Sequence, residues 1–263
     1  MEQHPNEKKD DTFDLNQLLH MLPAIRKAAE NGHIESQMTL AMCYRLGYGV
    51  EQDEEEAFKW FKLAADAGSA KAMYELSTFE EYMDWDEALE FLRKSAEKGY
   101  AEAQYQLGEY LYQEEEYDEA VKWLYKAAEQ DHAQAQWRLG WCYEYYQGVE
   151  QDNIKCAKWY RKSAEQGNAD GQWSFGGCCW EGRGVKQDYE EAVKWLKMAA
   201  EQGHELAMDG LEAMVLKMHY WGAPVASDFP QGIPEVLKDI RKRLLKEDQK
   251  FRDDFGNKAP NGF

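Results

Sequence analysis

Five cysteines, six histidines and fifty acidic side chains are this chain's candidates for nucleophilic, metal-binding or acid–base chemistry. Their spacing argues against a reactive centre. Cys43, Cys142 and Cys178 fall at one place in a repeating pattern. Equivalent places in stacked repeats lie about one repeat apart, too far for a disulfide or a shared metal. Cys178 and Cys179 are neighbours in sequence, a weak redox signal. His33, His132 and His204 each stand where a repeat opens, so the architecture accounts for them. The glutamates at 54–56 and 114–116 lie at helix starts or turns, where a carboxylate offsets the helix dipole. No HExxH, GxSxG, Walker or Rossmann pattern is present. The loops Gly47-Tyr48-Gly49-Val50 and Gly182-Arg183-Gly184-Val185 join helix to helix in acidic surroundings, unlike a phosphate cradle. The expectation is a protein with no catalytic, cofactor-binding or metal-binding residues.

The other chemistry on offer is recognition by large aromatic rings. The sixth residue of successive units is Met38, Tyr74, Tyr105, Trp137 and Trp173. Tyr and Trp are the residues that most often dominate binding energy. Large side chains so placed serve equally well as packing between helices, and both readings stand at this point.

The elements that position this ladder come from self-similarity. DYEEAVKWLKMAAEQG, from Asp188, recurs as DEEEAFKWFKLAADAG from Asp53, EYDEAVKWLYKAAEQD from Glu116 and DNIKCAKWYRKSAEQG from Asp152, with a weaker copy from Asp84. Trp60, Phe91, Trp123, Trp159 and Trp195 mark the same place, about 31–36 residues apart. A period in the thirties means a stacked array, because one unit cannot bury its own apolar face. Each unit opens with a short-helix pattern, such as HAQAQWRLGWCY from His132, and closes with the amphipathic second helix. Asp53, Asp152 and Asp188 are placed to cap second helices, and Gly68, Gly99, Gly167 and Gly203 to end them in the left-handed conformation.

Units are expected at 33–68, 69–99, 100–131, 132–167 and 168–203. They are preceded by a disordered stretch, 1–12, and capping helices of a degenerate repeat, 13–32, with Pro23 forcing a kink or restart. A partial sixth repeat, 204–222, and a linker, capping helix and flexible tail, 223–263, follow. That last helix would run from Pro234 to Phe251 with Val236, Leu237, Ile240, Leu244 and Leu245 on one side. Units two and three lack the glycine loop, so their turns, at Tyr82–Asp86 and Glu114–Asp118, are expected to be tighter.

Lys plus Arg number 31 against 50 Asp plus Glu, a net charge of −19. That opposes binding to nucleic acid and to an anionic membrane, and favours encounter with a basic partner. With aromatics at 14% and evenly spread, disorder is not expected. The first residues carry no secretory pattern, no apolar run spans a bilayer, and an odd cysteine number suits a reducing cytoplasm.

The pattern A-x-A-x-x-x-L-G-x-x-Y, then G-x-G-V-x-x-D, then A-x-x-W-x-x-x-A-A-E-Q-G, resembles the Sel-one-like repeat family, kin to the tetratricopeptide repeats, from Pro23 to about Met218. The resemblance implies an all-α, right-handed superhelical solenoid of helix-turn-helix repeats that binds other proteins. The consensus Tyr is lost at Glu80, Leu111 and Cys179. Some relatives are secreted, disulfide-stapled and linked to β-lactams, but their stapling uses a cysteine pair in each unit, which this sequence lacks. By analogy with tetratricopeptide arrays, the ladder and the residues four and seven further on face the concave surface. With their neighbours on that face, the expected protein-binding residues are Met38, Met42, Tyr74, Tyr105, Glu109, Tyr112, Trp137, Trp141, Glu144, Tyr145, Trp173 and Trp180.

The sequence therefore points to a non-catalytic scaffold, cytoplasmic and monomeric when free, that grips a basic protein or peptide in an aromatic and acidic groove. A sharper version is an immunity protein that inhibits a cognate toxin. The alternatives are a small-molecule-interacting enzyme of β-lactamase-like type, and an assembly adaptor using the convex face or the C-terminal helix.

Overall fold

The computed structural model describes residues 15–79, 81–221, 235–240, 242, 243 and 246. The described residues are all-α, with no strand among them. The chain divides into two compact units, residues 1–104 and 105–263.

In the first unit, α1 (Leu15–Glu30) precedes the helix pairs α2 (Ile34–Leu46) with α3 (Glu54–Asp66) and α4 (Ala70–Leu76) with α5 (Trp85–Glu97). The chain then enters α6 (Ala101–Gln113), within which the division falls. α1 runs unbroken through Pro23, so the expected restart is absent. Pro23 lies on the exposed side of the helix, where water can satisfy the carbonyl that loses its partner. The buried side of α1 places Leu18, Leu22 and Ala29 against Leu40 and Cys43. Phe61, Ala64 and Ala65 of α3 form the next cluster with Ala72, Met73, Leu76 and Phe79.

The two short repeats lose residues in different ways. α4 stops at Leu76 after seven residues, because the Ser77 and Thr78 hydroxyls donate to the carbonyls of Tyr74 and Glu75 at 2.6 and 2.7 Å. Phe79 then tucks into the core against Phe58 and Phe61. The connection to α5 is consequently long, and the helix rather than the turn is abbreviated. Between α6 and α7 (Tyr117–Glu129) the turn itself is short, with Glu115 at φ 62°.

The second unit continues with α8 (Ala133–Tyr145), α9 (Asn153–Glu165), α10 (Ala169–Glu181), α11 (Tyr189–Glu201) and α12 (Glu205–Trp221). Local sequence sets most helix ends. Asp53, Asp84, Asp152 and Asp188 each accept a backbone N–H from the first turn of the helix they open. His33 and His132 do the same with Nδ1, which explains why a histidine opens those repeats. The second loop glycine is indispensable: a Cβ on Gly148 would meet the Tyr117 carbonyl, and one on Gly184 the Asn153 carbonyl.

A single core joins α7 to α12, from Leu124 through Tyr160, Phe175 and Leu196 to Leu211 and Met214. Residues 235–240 are helical, and Leu237 and Ile240 are buried in that same core, with an Arg243–Glu212 ion pair nearby. Leu244, Leu245 and Phe251, with residues 1–12 and the tail from 247, lie outside the described residues.

Candidate functional site

In the described structure the ladder residues hold repeats together as well as facing outward. Met38 is 6% exposed and packs with Ala41 and Phe61, so it is a core residue rather than an open anchor. Tyr74, Tyr105, Trp137 and Trp173 are half-buried. Three of them lie against the residue that opens the next repeat. Tyr74 meets Tyr100 with ring centroids 5.4 Å apart, Tyr105 stacks on His132 at 4.7 Å, and Trp173 stacks on His204 at 5.4 Å. Trp137 instead donates its indole N–H to Ser174 Oγ at 3.1 Å.

The two carboxylates on this face are already engaged. Glu109 takes both Nε and Nη2 of Arg138 at 2.6 Å, and the guanidinium is sandwiched by Tyr112 and Trp137, 4.7 and 4.8 Å from their centroids. Glu144 accepts the Tyr160 hydroxyl at 2.7 Å and pairs with Arg183. Each is largely removed from water, and an ionised carboxylate so placed needs a partner. Tyr112 donates to the Gln147 side chain and packs edge-on against Tyr117.

Five of the expected residues do converge. Trp141, Glu144 and Tyr145 on α8, and Trp173 and Trp180 on α10, line a cavity of about 330 Å³. Helical spacing explains this: residues 141 and 145, and 173 and 180, recur at one and two turns. Trp141 and Tyr145 stand 4.3 Å apart, and Trp180 packs edge-on against Tyr189. Tyr160, Leu196 and Met214 also line it, as do Glu144, Glu181 and Arg183, the last pairing with both carboxylates. Burial, and then the Glu144 carboxylate, pushes the Tyr160 hydroxyl far above its usual range, so it acts as a fixed donor. In the first unit Met38 and Met42 line a different cavity, of about 410 Å³, with Leu18, Leu46 and Lys71.

The sequence reading missed Tyr160, Gly177, Glu181 and Arg183. The available signal was Arg183, a cation inside a loop read only as a connector. It also missed that Cys156 of α9 reaches Cys178 of α10. The hydrogen bond with Cys178 and then burial push the Cys156 thiol up, while the same hydrogen bond lowers Cys178. All five cysteines are unpaired and buried. Among the described residues no group of His, Cys, Asp or Glu is placed to hold a metal, and no helix is long and apolar enough to cross a membrane.

A further ladder was unrecognised. Gln37, Gln104, Gln136 and Gln172, the fifth residue of their units, are buried and donate to the carbonyls of Ala29, Ala96, Ala128 and Ala164 on the preceding helix. The recurring Gln-Met/Tyr/Trp pair could have revealed it.

Paired helices, capped and stacked in this way, define an α-solenoid of helix-turn-helix repeats. The Sel1 repeat model matches residues 34–69, 70–100, 101–132, 133–168 and 169–204, and the chain belongs to that family. It is similar to a Sel1 repeat protein from Oxalobacter formigenes, with 26% identity, 90% of this chain and 97% of that one covered, and a TM-score of 0.70. It is also similar to a protective antigen present in uropathogenic Escherichia coli strains displaying an SLR fold, with 24% identity over 95% of this chain and 65% of that one, TM-score 0.53. An immunity protein from Pseudomonas aeruginosa aligns at 23% identity over 71% of this chain and 75% of its own, TM-score 0.48. None of the curated proteins compared with the chain matches it.

Proposed function

We propose that the chain is a non-catalytic scaffold that holds a protein partner bearing a basic segment, using the aromatic face of α8 and α10. The observation that carries this reading is the gathering of Trp141, Tyr145, Trp173 and Trp180 around one cavity. Partly exposed aromatic rings on rigid helices are the usual anchors of an interface. The net charge of −19, rather than Glu109 or Glu144, selects the sign of the partner, because those two carboxylates already have cations. A narrower form of the reading is an inhibitor that masks a cationic enzyme, to which the same charge is suited.

The test uses labelled decalysine and decaglutamate peptides followed by fluorescence anisotropy. Decalysine should bind, more weakly at high salt, and Trp180→Ala should reduce its affinity while the circular dichroism spectrum is unchanged. Equal binding of the two peptides, or indifference to salt and to Trp180→Ala, would overturn the reading.

A further inference from the structure

Four of the six glycines inside the described helices are explained by packing. A Cβ on Gly108 would strike Leu124 at 2.8 Å, on Gly140 the Tyr160 ring at 2.6 Å, on Gly171 the Ser163 hydroxyl at 2.5 Å, and on Gly176 Leu196 at 2.9 Å. Two are different. A Cβ on Gly177 would meet nothing within 4 Å, and one on Gly210 only ordinary contacts with Leu196 at 3.7 and 3.8 Å. Glycine costs a helix stability relative to alanine, so a helix glycine without a packing reason calls for another. Both line the same cavity, that of Trp141, Tyr145, Trp173 and Trp180. Gly177 stands four residues after Trp173, where Trp141 follows Trp137 in the preceding repeat. A tryptophan there would fill the space.

Gly210 has a second consequence. Trp137 donates its indole N–H to Ser174, the first residue after Trp173 in the next repeat. Gly210 follows Asp209 at the equivalent place of the last repeat and offers no hydroxyl to Trp173. The cavity is thus widened on two sides by missing side chains.

We propose that this cavity is a receptor for one cationic side chain, a lysine or arginine of the basic partner; the identity of that partner rests on the function proposed above. The volume of about 330 Å³ is at the lower end of small-ligand sites, about 300–1,000 Å³, and suits a single side chain. Four aromatic residues line it, and aromatic rings attract an alkylammonium or guanidinium group. The charged groups lining it are Glu144, Glu181 and Arg183, one net negative charge, and the Glu181 side chain is 59% exposed. An incoming cation meets a carboxylate at the rim and aromatic rings inside.

The experiment follows the indole N–H resonances of the full chain by NMR while Nα-acetyl-lysine amide, Nα-acetyl-arginine amide or neutral Nα-acetyl-norleucine amide is added. The cationic amides should shift the resonances of Trp141, Trp173 and Trp180, and norleucine amide should not. Gly177→Met, which grows into the cavity from a position with room for a Cβ, should weaken the response about tenfold or more without lowering the melting temperature. Glu181→Gln, on the exposed rim, should weaken it by a smaller factor. An equal response to norleucine amide, or an unchanged response in Gly177→Met, would overturn the proposal. Decalysine separates the two levels. If it binds wild type and Gly177→Met equally, the receptor is refuted and the basic-partner reading survives. If decalysine does not bind but the cationic amides do, the reverse holds.

Discussion

Replacing Ala67 by glutamine should stabilise the protein, and the reason lies in the buried glutamine ladder. In the second unit, Gln136 and Gln172 use both ends of their carboxamides. Each Nε2 donates to a carbonyl of the preceding helix, and each Oε1 accepts from a second glutamine 30 residues further on, Gln166 at 2.7 Å and Gln202 at 2.8 Å. Gln37 donates to Ala29 in the same way, but its Oε1 is buried with no partner. Ala67 occupies the position of Gln166 and Gln202, at the C-cap of its helix. Its φ and ψ of −75° and −1° match their −84°, 0° and −88°, 2°. A glutamine there would carry the missing donor. Relieving an unsatisfied buried acceptor is worth about 1–3 kcal/mol, and ordering an exposed glutamine side chain costs up to about 2 kcal/mol. A net gain of about 1 kcal/mol follows, seen as a rise of about 2–4 °C in melting temperature by circular dichroism. Ala67→Met, equally long but without a donor, should give no such gain. Gln166→Ala should cost about 1–3 kcal/mol by orphaning Gln136. If Ala67→Gln behaves as Ala67→Met does, water already satisfies Gln37 and the reasoning is refuted.

Glycine substitutions should divide by the space around them. Gly140→Ala forces a Cβ into the Tyr160 ring and should destabilise by about 1–3 kcal/mol, whereas Gly177→Ala should stabilise by about 0.5–1 kcal/mol in the same urea titration. Removing one partner of the Glu109–Arg138 pair, by Arg138→Met, leaves a mostly buried carboxylate and should cost about 3 kcal/mol. The double variant Glu109→Gln/Arg138→Met should recover much of that loss. Burial pushes the thiols of Cys142 and Cys179, and the Tyr74 hydroxyl, up to about 12. The unfolded chain therefore releases these protons first, from about pH 9–10 upward. Folded chain then binds more protons than unfolded, so stability is full below pH 9 and falls as pH rises toward 12, measurable as a declining urea midpoint.

Three residues of the expected binding face read differently once packing is known. Met38 belongs to the core because an unbranched side chain folds readily into the gap beside Ala41 and Phe61. Glu109 and Glu144 are neutralised by Arg138 and Arg183 from the following repeats, which no spacing within one unit discloses. Trp141, Tyr145, Trp173 and Trp180 were legible as one helical face, but their meeting around a cavity depends on Gly177 and Gly210 being small.

The amino-acid order by itself settled the repeat period, the helix pairs and most of their ends. Asp53, Asp152 and Asp188 cap, and Gly68, Gly167 and Gly203 stop, through bonds and dihedrals spanning only a few residues. Tertiary structure decided which charges are spent, where the buried glutamines find acceptors, and where a cavity remains. Those outcomes arise between side chains some thirty residues apart, and their register exists only after one repeat has packed on the next.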